Sequence, residues 1–474
     1  MIKEDHAKDV KAFADELLQQ WNPFFVSALK TRLPDGDLGG DAQPESWNSI
    51  IALKLQVVKT LLRIRRVFPN LLLPQSTTFF TAVWEELTLF QTYHEELYIT
   101  NDAQGRLEDS DNLPYALDFL ILEELDFLNQ CFRAPPVQAE LAGQLKAHAN
   151  ASEVPWMIQI MNMLISYSRV TQEEEQLWDI DCSLYLAEET SVTANYTSRT
   201  AAGDLLIKMG EWFDQSAVDG LFGCTKSLFS GDGASWRSQE AALYLFVMLC
   251  SDFQDLNKSI PEPIAQAYLG LIDYTINRPE EPLLRARGYL VAGMLGRVFQ
   301  LPTDLLDHTI RSITSEQSEV VQVACIQAVE GLINAGKVTP DRQVPIITSI
   351  QHYMNGKDPS EMEEADELLV TLSEALRAAI GLDTRIALSS EIQSIDLLFL
   401  LAKLGASNFQ VTMLVSEAFE EIVAGLSDRE SFDTLCGRIL PTLTGAFDVA
   451  NLTEDNPLVT VSTEVLLEIQ VGSC

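Results

Sequence analysis

Trp178-Asp-Ile-Asp-Cys-Ser-Leu-Tyr185-Leu-Ala-Glu188-Glu189, a short polar break, then Tyr196-Thr-Ser-Arg199-Thr-Ala201-Ala202-Gly-Asp204-Leu205-Leu206-Ile-Lys-Met209-Gly-Glu-Trp212 is the stretch from which the fold is read. Its second half is a helix by periodicity. Leu205, Leu206 and Met209 continue one apolar face at spacings of three and four. Ala201 and Ala202 are small where another helix must come close. The first half closes a preceding helix on an aromatic residue and an acidic pair.

Working outward, the same unit recurs. On the C-terminal side, helices are expected at 214–229 with 234–252, 261–276 with 282–299, 302–313 with 318–335, and 341–354 with 360–380. Helices 390–404 with 408–426, and 430–448 with 457–470, follow; the β-branched run from Val459 is read as helix by its place in the array. The second helices start a little over 40 residues apart, the period of HEAT-type two-helix repeats. One of them carries Leu283, Leu284, Leu290, Val291, Met294 and Leu295 on two adjoining faces. Such a helix has to be buried on two sides, by its partner and by the next repeat. Small residues at Ala241/Ala242, Gly288/Ala292 and Ala324/Ala328 permit that approach, and Pro282, Pro302 and Pro340 stand at or beside helix starts. Towards the N-terminus the spacing is looser. Helices are expected at 4–30, turning at Trp21-Asn22-Pro23, then 46–68 capped by Ser46, 76–99, 114–132, 137–148 and 153–170. The fold class is therefore all-α: a superhelical α-solenoid of antiparallel helix pairs, about nine of them. Residues 1–177 carry longer loops and 178–474 are more regular, continuous with the first part.

A chain of 474 residues exceeds the size at which one core keeps growing, which suits an array that grows in one direction. With 32 basic and 69 acidic residues its formal charge is −37. That argues strongly against direct nucleic-acid binding, which needs a basic face, and disfavours an anionic membrane surface. It favours a cationic partner, or simply solubility. Seven cysteines without C-x-x-C spacing fit reduced, buried thiols and neither a zinc site nor a disulfide framework. The start is polar, unlike a signal peptide, and no apolar run is long enough to span a membrane.

Catalytic patterns are missing. His6, His94, His148, His308 and His352 are scattered and read as ordinary surface or capping residues. No phosphate-binding loop or nucleophile elbow occurs. Adjacent acids such as Glu123/Glu124 would point about 100° apart on a helix, so an enzyme, a cofactor and a metal are not expected. The one basic helix, with Lys54, Lys59, Arg63, Arg65 and Arg66, reads as a solvated face that compensates its own dipole. What is left to carry function is acidic charge. The candidate partner-binding residues are Glu108, Asp109 and Asp111; Glu173, Glu174 and Glu175; and Asp358, Glu361, Glu363, Glu364, Asp366 and Glu367. The last group opens a second helix, where acids also favour the helix dipole.

The opening stretch, the helix Trp236-Arg237-Ser-Gln-Glu240-Ala241-Ala242-Leu243 and the helix Leu284-Arg285-Ala286-Arg287 together resemble the importin-β superfamily of nuclear transport receptors. The pattern Tyr196, Arg199, Ala201, Ala202, Asp204, Leu205, Leu206 is most similar to its "importin nine" branch, which includes histone and TATA-binding-protein importers. The resemblance is clearest from about 178 to 470. It implies a longer receptor, of which this is a central section; nothing here looks like the family's first repeats. It also implies a monomer that shuttles between cytoplasm and nucleus, basic cargo such as histone dimers, control by Ran-GTP acting on the full-length receptor, and contact with nuclear pore proteins. An exportin of the same superfamily and a HEAT scaffold outside transport remain open on composition alone.

Overall fold

The computed structural model describes residues 7–36, 38, 42–103, 107–108, 112–190, 196–231, 233–389, 391–426, 428–446 and 463. Among these the fold is an all-α solenoid of HEAT-type helix pairs, with an isolated bridge between Glu108 and Pro114 as the only extended pairing. The chain forms two compact units, Met1–Leu177 with Asn195–Ile264 and Trp178–Ala194 with Ala265–Cys474.

The first unit contains α1 (Ala7–Leu29), α2 (Glu45–Val67), α3 (Ser76–His94), α4 (Leu117–Phe132), α5 (Pro135–Lys146) and α6 (Pro155–Tyr167). After α7 (Gln172–Ile180) and α8 (Cys182–Thr190) come α9 (Ser198–Phe213), α10 (Gln215–Ser230) and α11 (Trp236–Asp255). Helices α1, α3, α6 and α10 pack in one row, and α2, α4, α9 and α11 in a second. The pairs are thus α1/α2, α3/α4, α6/α9 and α10/α11. Sequence spacing places α5 beside α6, but α5 packs on α3 and α4. The partner of α6 is α9, across an insertion that holds α7 and α8. Small residues allow the close packing: Ala201 and Ala202 of α9 are buried, and between α10 and α6, neighbours in one row, a Cβ on Gly220 would lie 2.6 Å from Met157.

The second unit contains α8 and most of α12 (Glu262–Ile276), then α13 (Pro282–Val298), α14 (Thr303–Ser315), α15 (Glu319–Asn334) and α16 (Gln343–Asn355). It continues with α17 (Pro359–Glu364), α18 (Asp366–Gly381), α19 (Thr384–Ala387), α20 (Ser394–Leu404), α21 (Phe409–Ala424) and α22 (Arg429–Ala446). Helices α13, α15, α18 and α21 form one continuous row. As their patterning requires, Leu283, Leu284, Val291, Met294 and Leu295 are buried on α13, while Leu290 is half-buried. The approach of α13 to α15 is set by Gly293, where a Cβ would lie 2.9 Å from the Cα of Ala328. The inserted α8 lies on this row, against α15 and α18.

Several local expectations are corrected. Helix α1 does not turn at Pro23 but runs through it, because Leu18, Phe25 and Leu29 are buried on both sides of the proline. The start of α2 has no side-chain cap from Ser46 and follows Pro44 instead. Helix α3 ends at His94 and continues as a π-helical turn, Glu95–Thr100. The helix expected from 360 is two, broken at Ala365 (φ −95°, ψ 66°), which provides two helix starts for the acids there. The expected helix 457–470 lies outside the described residues, apart from Thr463. Cys131, Cys182, Cys224, Cys250 and Cys325 are buried free thiols and Cys436 is half-buried; Cys474 lies outside the described residues.

Candidate acidic interaction surface

The residues that carry the family resemblance are ties between helices. Thr197 caps α9 through a reciprocal pair with Thr200. Two residues on, Arg199 is almost fully buried and donates to both oxygens of Glu240 on α11, at 2.9 and 2.8 Å. Its guanidinium also donates to the Ser168 carbonyl and stacks 3.9 Å from the Tyr244 ring. Arg237 donates to the carbonyls of Val170 and Thr171, at 2.7 and 3.3 Å, and pairs with Glu175. In the second unit Arg285 pairs with Glu316, and the buried Arg287 clasps Glu189 on α8 with both terminal nitrogens. Multidentate guanidinium pairs hold rigid elements in one register, and that is the part these signature residues play.

Glu319, at the first turn of α15, holds the other end of α8. Its Oε1 accepts from Cys182 Sγ at 3.2 Å, Tyr353 Oη at 2.8 Å and Lys357 Nζ at 2.6 Å. Burial opposes ionisation of Glu319, but the bonds from Lys357, Cys182 and Tyr353 hold its carboxyl below the usual range. The same thiol is pushed well up by burial and by the Glu319 charge, so Cys182 is an unreactive anchor.

The sequence-derived acids fall into three groups. Asp109 and Asp111 lie outside the described residues, while Glu108 is exposed beside its bridge to Pro114. Glu173 is exposed, but Glu174 closes a capping box with Thr171, whose N–H and hydroxyl it accepts at 2.8 and 3.1 Å. Since Glu175 is paired with Arg237, two of these three acids are engaged within the chain. Asp358 caps α17 by accepting from the Ser360 N–H at 2.8 Å. Glu361, Glu363 and Glu364 are exposed on α17, and Asp366 accepts from Asn408 at 2.9 Å. Glu367 is half-buried at the start of α18.

A second acidic feature was not among those candidates. Glu330 on α15, Glu374 on α18 and Glu421 on α21 line one open cavity of about 560 Å³, floored by Ile333, Leu382 and Leu414. Inside it Arg377 Nε lies 3.1 Å from Glu421, and its terminal nitrogens reach Glu421 and Glu417. Glu330 accepts only from Asn334, and Glu374 makes no ion pair among the described residues. Burial raises the pKa of both, and their mutual repulsion adds to the rise at Glu374. A cation placed here would relieve that repulsion. The cavity shares a helix face with α8: Glu319 and Glu330 are eleven residues apart, three turns and about 16 Å along α15. Glu330, Glu374 and Glu421 recur at spacings of 44 and 47 residues, the repeat period itself. That periodicity was the available signal, and adjacency in sequence concealed it.

The basic helix is not simply a solvated face. Lys54 is fully buried and donates to the Leu29 carbonyl at 2.7 Å and to Glu86, beside the buried Glu124. Burial, and then the Glu86 charge, push Glu124 well above the usual carboxylate range, and burial likewise raises Glu86. His94 is likewise a core residue, packed on the rings of Tyr98 and Tyr167, with burial pulling its pKa down to about 3. Among the described residues no cluster of His, Cys, Asp and Glu has metal-site geometry, and no helix is long and apolar enough to cross a membrane.

Comparison with known proteins places this geometry. The family model of importin-9 central HEAT repeats matches residues 151–406. The chain belongs to that family, within the importin-β superfamily. It is 26% identical over 452 residues to importin subunit beta-5 of Schizosaccharomyces pombe, covering 94% of this chain and 42% of that protein. To the importin-9 of Drosophila melanogaster it is 19% identical over 421 residues, 83% of this chain and 39% of the relative. The importin-9-like chain therefore spans about two fifths of these relatives' length. The exportin Cse1, solved in its cargo-free, cytoplasmic state, shares the fold at a TM-score of 0.62 and 16% identity, over 96% of this chain and 46% of that one.

Proposed function

We propose that this chain is the central section of a nuclear import receptor that carries basic protein cargo, with core-histone dimers foremost and TATA-binding protein a further candidate. The observation that carries the reading is the cavity of Glu330, Glu374 and Glu421, in a chain of net charge −37 from the importin-9 family. Carboxylates around an apolar floor suit a cargo Lys or Arg. The stem covers Ile333 and Leu414 while the head lies among the carboxylates. Glu108, Glu173 and the acids of α17 and the start of α18 extend the same attraction over the surface. Asp109 and Asp111 belong to the proposal by charge alone.

The full-length receptor would act as a monomer that shuttles between cytoplasm and nucleus, meets nuclear pore proteins in transit and responds to Ran-GTP. No bond making is involved; the acidic face screens cargo charge and keeps it from nucleic acid. A salt titration of this chain with a core-histone dimer tests the reading. Tight binding that weakens steeply with salt supports it, whereas equal, weak binding of the dimer and of a neutral protein of similar size removes it. Cargo pull-down by the full-length receptor with and without Ran-GTP separates importer from exporter.

A further inference from the structure

A second cavity, of about 510 Å³, has the opposite charge. It lies in the first unit between the end of α2 and the junction of α4 with α5. Arg65 and Arg66 come from the last turn of α2, and Arg133 is the C-terminal cap of α4. Leu62 and Leu73 supply apolar wall, and Asp126 is the one acid lining it.

Unpaired arginines are not in themselves unusual in this chain, since Arg32, Arg63, Arg297, Arg311 and Arg385 also make no ion pair among the described residues; what sets Arg65, Arg66 and Arg133 apart is that they share one cavity. Here Arg169, Arg199, Arg237, Arg285, Arg287, Arg342, Arg377, Arg429 and Arg438 all meet a carboxylate. Arg65, Arg66 and Arg133 make no side-chain ion pair or hydrogen bond among the described residues, although three guanidiniums share one cavity. Arg65 is half-buried, with its pKa lowered by burial and by Arg133. Dipole compensation at the end of α2 accounts for Arg65 and Arg66 pointing to that end. The same compensation at the end of α4 accounts for Arg133; it does not require the two helix ends to turn their three guanidiniums into one cavity.

We propose that this cavity binds an acidic peptide segment of a partner protein, two carboxylates with an apolar side chain between or beside them. Three arginines and one aspartate leave a net charge of +2, which two carboxylates balance. The apolar wall at Leu62 and Leu73 receives the hydrophobic side chain, and Asp126 accepts a backbone N–H from the peptide. A phosphate group would satisfy the arginines but would face Asp126 and leave the apolar wall bare. The site differs in charge and in place from the acidic cavity, so a receptor engaged with basic cargo through Glu330 and Glu374 retains it.

Fluorescence anisotropy of the whole chain with a labelled peptide of Glu and Asp residues interspersed with Leu tests this. The comparison is Arg66→Gln/Arg133→Gln, both at exposed positions, with circular dichroism to verify the fold. The expected result is salt-sensitive binding that falls about tenfold or more in the double variant, roughly 1.4 kcal/mol or more. A peptide with Gln in place of its acids should not bind. Equal affinity for wild type and variant overturns the proposal. So does displacement of the peptide by inorganic phosphate, or much tighter binding of a phosphoserine peptide without leucine, either of which would make this a phosphate site. Histone-dimer affinity should stay unchanged in the variant, so this test and the cargo test fail separately.

Discussion

Arg199 and Glu240 face each other as a two-bond pair at 2.9 and 2.8 Å, each side chain at most 3% exposed, joining α9 to α11, helices that come so close at Gly210 that a Cβ there would lie 2.6 Å from Leu249. Removing one partner strands a buried charge. Arg199→Met should therefore destabilise the first unit by about 3–5 kcal/mol, and the double change Arg199→Met/Glu240→Leu by clearly less. Tryptophan fluorescence during guanidinium unfolding reads this, because six of the seven tryptophans lie in that unit. Additive losses would show that the pair is not coupled.

Acid should act on the first unit through His94. Its folded pKa is about 3 against 6.5 in the open chain, so the folded state resists protonation. A depressed folded pKa contributes stability that is complete above pH 6.5 and lost as pH falls towards 3. At pH 4 the loss from this group is about 3 kcal/mol. His94→Phe should flatten the stability profile between pH 6.5 and 4. An unchanged slope in the variant would assign the loss elsewhere.

Helix spacing can be probed by glycines of opposite kind. Gly293→Ala inserts a methyl group 2.9 Å from the Ala328 backbone and should cost about 1–3 kcal/mol as α13 and α15 separate. Gly437→Ala, within α22 and with nothing inside 4 Å, should gain about 1 kcal/mol from helix propensity. Thermal denaturation by circular dichroism should move in opposite directions for the two.

Cargo binding should depend on pH through the acidic cavity. Burial lifts Glu330 and Glu374, so both protonate above the usual carboxylate range as pH falls. Histone-dimer affinity should then weaken on going from pH 7.5 to 5.5. Glu330→Gln/Glu374→Gln should lower affinity about tenfold at pH 7.5, remove much of that pH dependence and make the salt dependence shallower. If isothermal titration gives the variant the wild-type pH profile, cargo charge is read elsewhere on the chain.

Most of the helix order was legible because burial on two sides imposes a pattern that survives without coordinates. The starts of α13, α15 and α21 fall within a residue of expectation. Where reading failed, a distant contact had overruled a local rule. Pro23 breaks helices in isolation but not where Leu18 and Leu29 are buried around it. Lys54 has the composition of a surface residue and is buried because Leu29 and Glu86 come from other helices to meet it. Of the candidate acids, Glu174 and Glu175 are engaged by Thr171 and Arg237; adjacency in a run of three glutamates holds no information about that.

By itself the sequence determined the class of fold, the repeat period, the family resemblance and the sign of the surface. Each of these follows from periodicity or composition, which are sums along the chain. Tertiary structure alone decided that α6 pairs with α9 across an insertion, that α8 lies on α15 and α18, and that the signature arginines tie helices together. It also decided that Glu330, Glu374 and Glu421 share one cavity while Arg65, Arg66 and Arg133 share another. The physical reason is distance. Charges and close approaches act over a few ångströms in space, and stacking brings together residues that lie a whole repeat apart in the chain.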